Sequence, residues 1–235
     1  MFYLQPEKRI ENFSEMKYYP VHLKIENRNC LVVGGGGVGT RKVKTLLECG
    51  ARVTVISREL SRELRELAES GDIDLEQRSY RSEDLNGMFL VIGATNDMKL
   101  NRQISNDAEQ LNTLCNIADR PEVCNFILPA IVRRDDLVIT VSTSGKSPAM
   151  AKKLRKALEN QYGEEYGEVL RLMGAIRKKL LRQAHEPEVH KPLFEQLINS
   201  DLIEMIQKGE TEKIDSLLLD VLGKGYEYEE LMQEE

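Results

Sequence analysis

Six residues, Gly34-Gly35-Gly36-Gly37-Val38-Gly39, constrain this chain more than any others. They come after a short apolar, β-branched run at 30–33 and precede an amphipathic stretch at 41–49. Strand, glycine turn and helix in that order form the dinucleotide-binding fingerprint. In that reading Gly34 makes the tight turn, Gly36 lets the backbone approach a pyrophosphate, and Gly39 lets the helix pack close to the strand. The first-turn amides around Gly37 and Val38 then face the phosphates, with the helix dipole behind them. The competing reading is a glycine-rich structural turn.

The residues beyond the turn support an α/β domain. The run 52–56 is a second strand, 59–70 a surface helix with Leu60, Leu64 and Leu67 at helical spacing, and 73–76 a third strand. A buried strand at 88–92 ends in small residues, Gly93-Ala94-Thr95, and small side chains at a strand's carboxyl end leave room for a cofactor. A helix at 98–111 and a fifth strand at 113–117 complete a Rossmann-type, doubly wound parallel sheet. The pattern then changes. Two β-rich runs, 126–132 and 137–141, read as a hairpin joined by 133–136. Ser147 and Pro148 open a helix at 149–160, and from 164 onward the pattern is helical only, broken near 185–187 and 208–209, with a frayed acidic end at 227–235. The expected domains are an N-terminal extension at 1–16, a dinucleotide-binding domain at 17–125, a hairpin/helix region at 126–160, and an all-helical C-terminal region at 161–235. Met16 is a candidate for the natural start.

The net charge of −6 gives no electrostatic case for nucleic acid or a membrane surface. No apolar run is long enough to span a bilayer, and the expected location is the cytoplasm. The cysteines, Cys30, Cys49, Cys115 and Cys124, lack C-x-x-C spacing; Cys30 and Cys49 read as small buried residues. His185 and His190 do not fit an i, i+4 metal pair and read as surface residues, so no metal site is expected.

Three places could carry chemistry. At the second strand's end, where a dinucleotide site usually has an acid for the ribose, stand Ser57-Arg58-Glu59; Glu59 is two residues late and Arg58 suits a 2′-phosphate, so position alone leaves NAD and NADP open. Asp119, just past the fifth strand, is either a general base beside a nicotinamide or an ordinary turn aspartate ahead of Arg120-Pro121. The loop Ser142-Thr143-Ser144-Gly145-Lys146-Ser147 is either an anion-binding loop or a plain helix cap. Lys146, Lys152, Lys153, Arg155, Arg133 and Arg134 form either a basic wall for a polycarboxylate or scattered solvated charges.

A set of motifs resembles one family. These are Tyr19-Pro20-Val21, Val32-Val33-Gly34-Gly35-Gly36, Arg41-Lys42, Ala94-Thr95-Asn96-Asp97, Cys115-Asn116-Ile117-Ala118-Asp119, Phe126-Ile127-Leu128-Pro129-Ala130 and Ser142-Thr143-Ser144-Gly145-Lys146-Ser147-Pro148. Over residues 17–160, with a looser match beyond, the chain resembles the siroheme synthase N-terminal module family: precorrin-2 dehydrogenase, often also sirohydrochlorin ferrochelatase. The resemblance implies that NAD accepts a hydride from precorrin-2 to give sirohydrochlorin, and in many members that Fe²⁺ is then inserted. It makes Asp119 the catalytic aspartate, base in oxidation and proton acceptor in metallation. It places cofactor contacts at Gly34, Gly36, Gly37, Val38, Gly39, Ser57, Arg58, Glu59, Ala94 and Thr95. Substrate contacts fall at Asn116, Ser142, Thr143, Ser144, Gly145 and Lys146. Thr143 stands where some members carry a phosphorylatable serine. The hairpin and its helix are expected to form a homodimer, with the tetrapyrrole between domains. The methyltransferase domain fused in some members is not expected here, so uroporphyrinogen methylation would come from another protein. The alternatives are a dehydrogenase without chelatase activity and a non-enzymatic NAD-sensing domain, which would have no use for Asp119 or the 142–148 loop.

Overall fold

The computed structural model describes residues 17–182 and 187–233 and divides into two compact units, one reaching Leu128 and the other starting at Pro129. The expectations for the 1–16 extension, for Met16 and for His185 lie outside the described residues.

The first unit is built on a five-stranded sheet. Its strands are β1 (Asn29–Gly35), β2 (Arg52–Leu60), β3 (Ile73–Glu76), β4 (Leu90–Gly93) and β5 (Leu114–Ile117), in the order β3-β2-β1-β4-β5 and all parallel. Alternation along β1 explains the double winding, because successive side chains point to opposite faces. Cys30 and Val32 pack with Val53, Val55 and Ile92 under α1 (Gly37–Glu48) and α2 (Arg62–Glu69), through Val43, Leu46 and Leu64. Leu31 and Val33 pack on the other face with Val91, Cys115 and Ile117 under α3 (Met98–Gln110), through Ile104 and Ala108. A sheet covered on both sides reads as continuous apolar strands, as β1 and β4 do. The order reverses on either side of β1, so the crevice at the carboxyl ends opens beside the glycine turn.

The second unit begins with a two-stranded antiparallel hairpin, β6 (Ala130–Arg134) and β7 (Leu137–Val141), turning at Asp135 with φ 50°. Helix α4 (Pro148–Gln161) comes next, with Ser147 Oγ accepting from Met150 N at 3.2 Å and Pro148 at the first helical position. Helices α5 (Glu165–Arg182), α6 (Pro187–Ile198), α7 (Leu202–Lys208), α8 (Thr211–Leu222) and α9 (Tyr228–Gln233) enclose a second core around Leu172, Ile176, Leu197, Leu202, Ile214 and Leu218. Gly209, at φ 67°, ends α7 in the left-handed conformation that glycine adopts without strain.

Several expectations need correcting. β2 runs on to Leu60 and α2 starts only at Arg62, because Leu60 pairs with Gly35 and Ser61 Oγ caps Leu64 N. The hairpin starts at Ala130, not 126, since the preceding residues bond to β5 instead. Cys49 is exposed. His190 is buried in α6. The acidic end is not frayed through 233: Tyr226 and Leu231 belong to the helical core, Tyr228 N donates to Asp215 Oδ1 at 2.7 Å, and Tyr228 OH bonds Glu168.

Candidate active site at the crest of the parallel sheet

The glycines of the turn divide by what surrounds them. Gly34 has φ 116°, and a Cβ there would lie 2.4 Å from the Ala94 carbonyl oxygen. A Cβ on Gly39 would lie 2.0 Å from the Gly34 oxygen. Both contacts are with backbone, so neither position admits a side chain. Gly36 and Gly37 differ, with nothing within 4 Å of the place a Cβ would take. Gly36 is the N-cap of α1 and supplies no side-chain cap, and the first turn carries no acid. Gly37 is exposed and Val38 half-buried, so the amides that open α1 face free space, as at a helix start that receives phosphate, while Gly39 is buried against Gly34.

The wall beside them is the end of β4. Ala94 N donates to Val33 O at 2.8 Å, carrying the ladder past the strand. The Thr95 side chain turns into α3: its hydroxyl bonds Asn101 Oδ1 at 2.7 Å and accepts from Asp97 N at 3.2 Å. What Ala94 and Thr95 present toward Gly34 is backbone. At the end of β2, Ser57 is half-buried, and Arg58 and Glu59 are exposed.

Asp119 stands two residues past β5, exposed, at φ 60°. A left-handed aspartate is uncommon and persists where its surroundings fix it. Ala118 N donates to Gly93 O at 2.8 Å and Arg120 N to Ile117 O at 3.2 Å. The Cys124 sulfur accepts from Ile117 N at 3.1 Å and lies 3.1 Å from Arg120 O. Burial pushes the Cys124 thiol above its ordinary 9.0, against the pull of the Ile117 amide, so it stays a proton-bearing anchor. Asn125 fastens the open edge of β5: Oδ1 accepts from Cys115 N at 2.7 Å and Nδ2 donates to Thr113 O at 2.9 Å. Asn116 is buried and its amide donates to Phe126 O at 3.1 Å. Asn116 thus holds the returning chain. Across the crevice, half-buried Lys42 of α1 senses the Asp119 carboxylate; burial, then Arg41, push its ammonium below 10.5, while Asp119 acts the opposite way. Asn125→Ala removes two hydrogen bonds at about 0.5–1.5 kcal/mol each. Chemical denaturation is expected to show a loss of about 1–3 kcal/mol for the first unit.

In the second unit the 142–147 loop is a turn locked by its own hydroxyls. Ser144 (φ 51°) and Gly145 (φ 78°) are left-handed. Ser144 N donates to Ser142 Oγ and Ser147 N to Thr143 Oγ1, each at 3.2 Å, and Lys146 N donates to Thr143 O at 2.9 Å. Ser144, Gly145 and Lys146 are exposed, and Ser142 and Thr143 lead into them from the end of β7. The basic wall is partial. Arg134 pairs with Glu164 at 3.2 Å and donates to Glu159 O at 3.0 Å, and Arg155 pairs with Glu159, whereas Lys152 and Lys153 are exposed. Among the described residues no group of three His, Cys, Asp or Glu side chains is placed to hold a metal.

Comparison with known proteins fits this geometry. Residues 21–130 match the family model described as putative NAD(P)-binding, and residues 134–161 match that of the sirohaem biosynthesis protein central region. The siroheme synthase of Nitrosococcus oceani is 35% identical over 211 residues, and that of Methylococcus capsulatus 34% over 205. Over nearly its whole length the chain is similar to siroheme synthases. It spans less than half of those two relatives, 45% and 43% of their lengths, while they match 90% and 87% of it. The solved structure of SirC, a precorrin-2 dehydrogenase, superposes with a TM-score of 0.71 at 28% identity, covering 85% of this chain and all of SirC. Within the family frame, the NAD(P)-binding match contains the glycine turn, the β2 end and Asp119. Sequence reading missed Lys42 as a neighbour of Asp119, and Cys124 and Asn125 as its anchors. Arg41-Lys42 was visible as a motif, but nothing local told that Asn125 bonds back across ten residues.

Proposed function

We propose that this chain oxidises precorrin-2 to sirohydrochlorin with NAD as acceptor, in sirohaem biosynthesis. The observation that carries the reading is the pairing, on one edge of the sheet, of an open glycine cradle with a carboxylate held at a left-handed turn. The relatives' names and the SirC superposition support it. When bound, the nicotinamide supplies the acceptor for a hydride leaving the macrocycle. The chain's residues do the rest. The amides of Gly37 and Val38 receive the pyrophosphate, and the bare Cα atoms of Gly36 and Gly37 let it approach. The Asp119 carboxylate takes the proton released as the hydride departs, and its exposure lets that proton pass to water. Lys146 and the loop Ser142, Thr143, Ser144 and Gly145 belong to binding the substrate's carboxylates, with Lys152 and Lys153. Asn116 contributes by holding the chain behind Asp119.

The same base serves insertion of Fe²⁺ into sirohydrochlorin, where the pyrrole protons need an acceptor and the metal needs no dense ligand set. The homodimer is supported by exposed apolar residues in the second unit, Ile131 and Val138 of the hairpin and Met150 and Leu154 of α4. Four free cysteines suit a reducing compartment, the cytoplasm. No helix among the described residues is long and apolar enough to cross a membrane.

The test is an anaerobic incubation with precorrin-2 and NAD⁺, and then with Fe²⁺ or Co²⁺. NADH formation and subsequent metallation are expected. NADH without metallation leaves a dehydrogenase alone, and no NADH overturns the proposal.

A further inference from the structure

The end of β2 carries an irregularity whose consequence reaches the nucleotide. Val33 pairs with Ile56, but the next pair is Gly35 with Leu60. One residue of β1, Gly34, is therefore matched by three of β2: Ser57, Arg58 and Glu59. The bulge is held by one hydroxyl. Ser57 Oγ accepts from Gly35 N at 2.9 Å and donates to Glu59 O at 2.7 Å. It stands where a dinucleotide site usually keeps its ribose-binding acid, and its proton is spent on Glu59 O. The glycine turn closes on the bulge from the other side: Ser61 N donates to Gly35 O at 2.9 Å, and a Cβ on Gly35 would meet Glu59 O at 2.4 Å.

The bulge also separates two opposite charges. Arg58 is fastened on the β3 side, with Nε donating to Ser79 Oγ at 2.8 Å and its carbonyl accepting from Gln77 Nε2 at 3.1 Å. Glu59 has its backbone against Gly35, and its exposed carboxylate has no hydrogen bond or ion pair among the described residues. A carboxylate beside the adenosine ribose accepts from its hydroxyls and repels a 2′-phosphate; a guanidinium there does the reverse.

We propose that Ser57 is a positioning residue for nucleotide selectivity: by pinning the bulge against the glycine turn, it makes Glu59, and not Arg58, the charge that meets the adenosine ribose, so that the diphosphate dinucleotide is preferred over its 2′-phosphorylated form. This rests on the nucleotide-binding part of the proposed function and deepens it. The ribose acid is absent from its usual place because a two-residue insertion delivers it from further along the strand.

The test is direct binding of NADH and NADPH, read by nicotinamide fluorescence, to the full chain and to Ser57→Ala, Ser57→Thr and Glu59→Gln. The wild type is expected to prefer NADH. Ser57→Ala is expected to shrink the ratio of the two dissociation constants about tenfold, the scale of a lost pair of hydrogen bonds. Ser57→Thr, which keeps the hydroxyl, is expected to restore the ratio, and Glu59→Gln to shrink it as Ser57→Ala does. A general loosening of the fold would weaken both nucleotides together and leave the ratio alone, which would overturn the proposal. So would a wild type that prefers NADPH, or a Glu59→Gln ratio equal to that of the wild type. Because binding needs no turnover, the expected ratios in a protein inactive on precorrin-2 would sustain this inference while the dehydrogenase reading fails. Turnover with an unmoved ratio would do the opposite.

Discussion

Asp119→Asn is expected to lower kcat for precorrin-2 oxidation by about 10²–10⁴-fold, the range for a lost general base. Its dissociation constant for NADH is expected to stay near that of the wild type. Asparagine is the informative replacement because Asp119 sits at φ 60°. Asparagine visits the left-handed region nearly as well as aspartate, so the turn between β5 and Cys124 keeps its shape. What is lost is the acceptor for the proton. The loop's anchors, Ile117 N on the Cys124 sulfur and Asn116 on Phe126 O, do not involve the Asp119 side chain. Asp119→Ala mixes the two effects by adding backbone strain. Equal kcat for Asp119→Asn and wild type would remove this carboxylate from the chemistry and return it to an ordinary turn residue.

Gly39→Ala and Gly36→Ala are expected to fail in different ways. A Cβ on Gly39 would lie 2.0 Å from a backbone oxygen, and the backbone of Gly34 has no room to withdraw because Ala94 lies against it. The expected loss is at least about 3 kcal/mol, the upper part of the overpacking range, with nucleotide binding abolished as α1 is pushed off β1. Gly36→Ala meets nothing within 4 Å. It is expected to unfold at the wild-type midpoint yet bind NADH at least about tenfold more weakly, because its methyl group enters the phosphate's space. Thermal unfolding and nucleotide titration of both variants check this. A Gly36→Ala protein with wild-type affinity would mean that the open face of the turn is not where the phosphates lie.

The sheet was legible because its signals are local. Apolar runs such as Leu31-Val32-Val33 and Val91-Ile92, spaced by helices, specify a parallel sheet covered on both faces, and the glycine turn marks its crest. The ends of elements were less legible because partners distant in sequence decide them. Residues 57–60 look like a strand end leading into a helix start, but Gly35, more than twenty residues earlier, draws them into the sheet. The run 126–132 looks like a hairpin strand from its first residue, but the side chains of Asn125 and Asn116 tie its start to β5. The acidic run after Tyr226 looks solvated, yet it carries Leu231 at the spacing that returns it to the helical core. At the site, Asp119 could be placed on the right strand end from its position, but its conformation and its neighbour Lys42 required coordinates.

The central claim is that the glycine cradle and Asp119 serve one bound nucleotide. A crystal structure of the protein soaked with NAD⁺ tests it most directly. The account predicts the pyrophosphate on the amides of Gly37 and Val38, and the nicotinamide end at β5 with the Asp119 carboxylate within hydrogen-bond or one-water reach of a substrate on the ring's open face. A nucleotide whose nicotinamide lies away from Asp119, or whose phosphates avoid the glycine turn, would contradict it.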